Sequence, residues 1–212
     1  MSVLADYYDL LMPELPGCPT AMVNLHLIQT ARQFCQDTSA WVIPCDDITV
    51  LATTSKYELF PAVASAELVR ITRLTFGNTL LWTRDDLDDC NYIYQTYPHY
   101  RRHEPPFTLT DDLLYVTFTA QEMTGAAGTA KIVAAVKPKM TANDLPDLLM
   151  SQYSEAIRCG TLARLMIMSK KKWTDRELAM QYRRDWNAAC NFAAYQAQGG
   201  NTQTPLRVRT YG

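Results

Sequence analysis

Residues 144–198 read DLPDLLMSQYSEAIRCGTLARLMIMSKKKWTDRELAMQYRRDWNAACNFAAYQAQ, and the apolar spacing in this stretch decides the fold. Leu149, Tyr153, Ala156, Gly160, Ala163 and Ile167 recur at alternating steps of four and three. That is one face of a helix, with Pro146 tolerated in its first turn. Ala156, Gly160 and Ala163 are small, so another helix can approach that face closely. Leu178, Ala179, Tyr182, Trp186, Ala189 and Ala193 give a second helix its stripe, and Gly199-Gly200 stops it. The spacing predicts that the second helix opens on a capping box, Thr174 accepting from the Glu177 amide while the Glu177 carboxylate reaches back. Trp173 before the cap and Leu178 one turn inside have the spacing of a hydrophobic staple. Each helix runs about 22–25 residues, roughly 35 Å. Lys170-Lys171-Lys172 marks the turn between them. Neither stripe can remain in water, so the hairpin requires a third element.

Residues 19–38 supply it: Val23, Leu27, Ala31 and Phe34 form a helical stripe widened by Ile28 and Cys35. Before it, Pro13, Pro16, Gly17 and Pro19 predict that residues 1–18 form an irregular N-terminal arm lying over the surface or over a neighbour. From Ala40 the period changes to two. Strands are expected where Ile48, Val50 and Ala52 alternate, at Tyr57–Phe60 before Pro61, and at Leu68–Phe76. The last of these puts Leu68, Arg70, Thr72, Leu74 and Phe76 on one side and Val69, Ile71 and Arg73 on the other. Gly77-Asn78 turns the chain into Thr79–Trp82. Residues 83–110 form a long excursion, a length that usually marks function or poor order. Strands resume at Leu113–Thr119 and Ala130–Val136. Residues 199–212 form a C-terminal arm in which Leu206, Val208 and Thr210 alternate with Arg207, Arg209 and Tyr211. Such an arm suits addition to a partner's sheet edge, the alternative being a frayed end. The fold class is therefore α+β: one domain over 1–212, with a helical core (19–38 and 144–198), an antiparallel β-insert (40–140) and extended terminal arms.

Length and a net charge of -2 suit one sizeable core and argue against a globally basic nucleic-acid binder. No apolar run reaches the ~18 residues of a membrane span, and the first residues lack the layout of a signal peptide. The six cysteines have no paired spacing; Cys35, Cys159 and Cys190 read as buried free thiols in a reducing compartment. Chemistry is sparse. His26 lies among apolar helical neighbours. His99 and His103 have metal-ligand spacing with Cys90 as a remote third donor, but Pro98, Pro105 and Pro106 oppose the helix that such a site needs. The run Asp85–Asp89 lacks the glycine and glutamate of a calcium loop. Gly125–Lys131 lacks the ending of a phosphate loop. No nucleophile sits in a histidine-paired setting, so no catalytic residue, metal ligand or cofactor site is assigned. Lys170–Lys172 and Arg183-Arg184 read as solvated cations, the lysines at the C-terminal dipole of the first hairpin helix, or as a face toward nucleic acid or an acidic partner.

The order of segments resembles the phage head–tail adaptor, or connector, proteins that form a ring beneath the portal. The resemblance is carried by Pro16-Gly17-Cys18-Pro19 leading into a helix that closes with Phe34-Cys35-Gln36-Asp37-Thr38-Ser39-Ala40-Trp41. It continues through Lys56-Tyr57-Glu58-Leu59, Glu67-Leu68-Val69-Arg70-Ile71 and Asp86-Leu87-Asp88, then Pro106 entering Leu113-Leu114-Tyr115-Val116. Val136-Lys137-Pro138, Leu145–Leu149, Tyr153–Ile157, Gly160–Leu165 and Lys172-Trp173-Thr174 complete it, so that it spans most of 16–197. It implies a structural virion protein in the neck, assembled in the host cytoplasm and not an enzyme. It implies a closed ring of roughly twelve copies, with portal protein on one side and tail proteins on the other. Genome DNA would pass through the channel without sequence-specific binding. In this setting Pro205, Leu206, Arg207, Val208, Arg209, Thr210 and Tyr211 are expected to form a portal-binding arm. Asp85, Asp86, Asp88, Tyr92, Tyr94, Tyr97, Tyr100, Arg101 and Arg102 are expected to form a tail or lateral contact loop, tyrosine offering large amphipathic contact area. The competing readings are another neck or tail ring protein, such as a stopper or tail terminator, and a DNA-binding regulatory module on the helical hairpin.

Overall fold

The computed structural model describes residues 2–51, 56–76, 79–83, 107–109, 115–118 and 128–199. It is an α+β fold in which antiparallel sheets are inserted between one helix and a C-terminal helical hairpin. The helices are α1 (Tyr8–Leu11), α2 (Thr20–Thr38), α3 (Asp147–Gln152), α4 (Ser154–Met166) and α5 (Arg176–Gly199).

The N-terminal segment is not an arm over the surface. Residues Leu4–Tyr7 and Met12–Glu14 form 3-10 turns on either side of α1. Leu4, Tyr7, Leu11 and Leu15 are buried in the main core. Their spacing of three, four and four is one helical face, and Pro13 fits because it falls in the first turn of a short helix, where no amide is needed. The first strand, β1 (Ser2–Val3), pairs antiparallel with β10 (Asp144–Leu145). The hairpin's first helix therefore starts later than Asp144, at Asp147 behind an extended Pro146.

The predicted single helix over 146–167 is also divided. Tyr153, at φ -125° and ψ 18°, separates α3 from α4. The amide of Tyr153 still donates to Leu149 O at 3.2 Å, and Tyr153 O accepts from Ile157 N at 3.0 Å, so the break is a kink. The Tyr153 ring lies 4.9 Å from the Phe34 ring of α2.

α2, α4 and α5 pack on one another as the periodicities require. Gly160 sits at the closest approach. A Cβ there would fall 2.3 Å from Trp186 Cε3 and 2.6 Å from Thr30 Cγ2. Phe34 and Trp186, with ring centroids 5.7 Å apart, fill the space beside it.

The insert forms two sheets. In the larger, β9 (Gly128–Pro138) is central: β2 (Val42–Pro44) and β3 (Ile48–Val50) pair along one edge, and β5 (Ala66–Phe76) along the other, followed by β6 (Thr79–Thr83). The smaller has the order β4 (Lys56–Glu58), β8 (Tyr115–Phe118), β7 (Phe107–Leu109). β2 and β7 were not anticipated, being three residues each and lacking an alternating run.

The two-sided alternation expected of β5 does not hold. Ala66 belongs to the helical core, whereas Ile71 and Leu74 face a second core with Ile48, Val50, Val116, Ala130 and Ile132. Register shifts at Leu68/Arg70 and Ile71/Arg73 each insert a residue, so the inward positions step by three. Arg32 joins the two halves, donating to Pro138 O at 2.5 Å and to Glu67 Oε2 at 2.9 Å.

Candidate functional site: a groove at the end of the helical hairpin

The second hairpin helix begins one residue later than expected. Asp175 Oδ1 accepts from the Leu178 amide at 3.0 Å, so Asp175 is the N-cap of α5. Thr174 is engaged elsewhere: its hydroxyl accepts from Lys171 N at 3.0 Å and donates to Met168 O. The expected capping box of Thr174 and Glu177 is thus replaced by an aspartate cap. A threonine hydroxyl committed to closing the turn is no longer oriented toward the helix amides. The staple changes with it, since Thr174 and Ala179 now hold the positions assigned to Trp173 and Leu178. Trp173 is nevertheless buried, and Leu178 packs against the same core. Lys170, Lys171 and Lys172 are exposed at this tip, with Lys170 in the left-handed region at φ 61°.

At the opposite end of the hairpin, α3, α4 and α5 enclose a groove of about 590 Å³. Its walls are Gln152, Tyr153, Glu155, Ala156 and Cys159 on one side and Asp185, Ala189, Phe192 and Gln196 on the other. Phe192 is 62% exposed and its neighbour one turn on, Tyr195, 66%. Both lie outside the buried stripe that Ala179, Trp186 and Ala193 send into the core. Tyr153, at the kink between α3 and α4, is one of the lining residues.

Beside the groove, Arg158 binds the N-terminal segment to the hairpin. Its Nε donates to Leu10 O at 3.2 Å, its Nη1 to Glu155 Oε1 at 2.6 Å and its Nη2 to Glu14. Tyr182 completes the cluster, its hydroxyl donating to Glu14 while accepting from Arg158 Nη2 at 3.3 Å. Burial disfavours the Arg158 charge, but the Glu14 and Glu155 carboxylates outweigh it and hold the guanidinium protonated. Burial and the Glu14 hydrogen bond push Tyr182 up to about 12. Both groups keep their protons at neutral pH, which suits a clamp rather than proton transfer.

The thiols are in the same condition. Cys18, Cys35, Cys45, Cys159 and Cys190 are free. Burial lifts Cys35 to about 12, and burial with the Glu155 carboxylate lifts Cys159, in the groove wall, to about 12. A thiol at such values is a weak nucleophile. Among the described residues no group of three or more His, Cys, Asp or Glu side chains converges as metal ligands. No helix among them is long and apolar enough to cross a membrane. Gly128–Lys131 of the phosphate-loop-like run lies in β9. His26 stands on α2 with its Nδ1 buried and unpartnered.

The contact loop (Asp85, Asp86, Asp88, Tyr92, Tyr94, Tyr97, Tyr100, Arg101, Arg102) and the arm (Pro205–Tyr211) lie outside the described residues, as do Cys90, His99 and His103. The groove itself was missed in the sequence. Its only signal there is Phe192 and Tyr195, two large rings three apart on a helix and off its core stripe. Compared with protein-family models and with curated proteins, the chain matches none.

Proposed function

We propose that this chain is a structural subunit of a phage neck, a head–tail adaptor whose copies encircle the DNA channel between portal and tail. The observation that carries the proposal is the exposed apolar end of α5. Phe192 and Tyr195 stand in water on a hairpin whose opposite face is fully committed to the core. An apolar surface on a rigid, packed element is what an assembly contact requires. The resemblance in segment order supplies the identity of the assembly. The clamped Arg158 and the protonated thiols fit a scaffold role, since none is poised for reaction.

Two measurements test the reading. Native mass spectrometry of the purified chain, alone and mixed with portal protein, is expected to give a ring-sized multimer, either free or formed on the portal. Imaging of intact particles is expected to place the chain in the neck. A chain that stays monomeric with portal protein and is absent from the neck overturns the proposal. A ring that binds tail tube but not portal identifies a tail terminator instead. The exposed Lys170–Lys172 tip gives the nucleic-acid reading its own test. A tight duplex shift that weakens with salt and disappears on changing the three lysines to alanine favours that reading over the adaptor.

A further inference from the structure

The groove between α4 and α5 has a chemical match within the chain. Its lining includes the apolar Ala156, Ala189 and Phe192 and the carboxylates of Glu155 and Asp185. Among the described residues no lysine, arginine or histidine lines it. One oxygen of Glu155 is taken by Arg158, while the exposed Asp185 makes no ion pair among the described residues. The segment Leu206-Arg207-Val208-Arg209-Thr210-Tyr211 alternates apolar side chains with two arginines. Extended, its six residues cover roughly 20 Å. From Asp185 to Gln196 the groove follows α5 for roughly 16 Å.

We infer that this groove is the acceptor for Leu206–Tyr211 of a second copy of the chain. In this arrangement Leu206 and Val208 pair with the apolar lining, and Arg207 and Arg209 with the carboxylates. A second copy is the fitting donor because α5 carries its own chain away from the groove, which ends at Gln196, three residues before Gly199. This gives the segment a different partner from the portal expected for it, and it does not depend on the adaptor reading.

The test uses the full-length purified chain with a benzophenone photo-crosslinker in place of Phe192, as a mixture of 15N-labelled and unlabelled copies. Mass analysis after irradiation is expected to find mixed-isotope cross-links from position 192 to residues 206–211. Asp185→Lys is expected to lower their yield about tenfold, and Arg207→Glu with Arg209→Glu in the other copy to restore it. Asp185 is exposed, so the variant keeps the fold. Cross-links to 206–211 only within single copies overturn the inference, as does their absence or a yield unchanged by Asp185→Lys. Particles that lack this chain in the neck would overturn the adaptor reading and leave the cross-link result standing.

Discussion

Gly160 fixes how closely the three principal helices approach. Because a Cβ at this position meets the Trp186 ring at 2.3 Å, Gly160→Ala must push α5 outward or turn the indole. Overpacking of this kind costs about 1–3 kcal/mol. Urea unfolding is expected to show a loss of that size, and Trp186→Leu in the same chain is expected to recover part of it, because the two sites share one space. The stripe of small residues foretold close approach here, but not which ring would fill it. His26 gives a second effect at this scale. Burial, then the Arg164 charge, lowers its proton affinity in the fold. A protonated ring would also bury an Nδ1–H that lacks an acceptor. With the folded pKa depressed below the unfolded value near 6.5, the contribution is fully present above about pH 6.5 and lost as pH falls through the folded value. Unfolding midpoints are expected to drop as pH falls below about 6.5, and to drop less in His26→Gln.

At the scale of elements, the hairpin turn shows where local motifs stop deciding. Thr174 and Asp175 are both favoured N-caps, and each has an acid or amide to complete a local pattern. Sequence spacing favours Thr174 through Glu177. The tertiary turn reverses this, because Met168 O and Lys171 N both need a partner and the Thr174 hydroxyl serves both. Asp175→Ala is therefore expected to cost about 1 kcal/mol, whereas Glu177→Ala is expected to change the urea midpoint by less than the error. A larger loss from Glu177→Ala than from Asp175→Ala would restore the capping box. The strands follow the same rule. Antiparallel strands were legible from period two, but the bulges in β5 were not, since they depend on which core each strand end must face. The kink at Tyr153 was hidden because the residue continues the helical stripe in sequence; in the fold its ring lies against Phe34.

At the scale of the molecule, the α+β layout was legible because three long amphipathic stripes had nowhere to pack except on one another. The N-terminal segment was not legible, because its prolines suggest disorder more loudly than Leu4, Tyr7, Leu11 and Leu15 suggest a helical face. Those four side chains are buried in the core that also holds Leu27, Ile157 and Leu162. Each such burial contributes about 1.5–3 kcal/mol. Together they reach about 6–12 kcal/mol, the size of a typical domain's whole stability. Arg158 adds the polar side of the same contact through Leu10 O and Glu14. A surface arm would be removable with no change in melting temperature. For this chain, deleting residues 1–15 is expected to abolish the cooperative thermal transition seen by circular dichroism, and Leu11→Ala alone to cost about 2–5 kcal/mol. Arg158→Met tests the clamp separately: hydrogen exchange is expected to quicken over residues 4–15 while the α4–α5 contact stays protected. A deletion variant that melts like the full chain would mean that the segment lies on the fold and is not part of it.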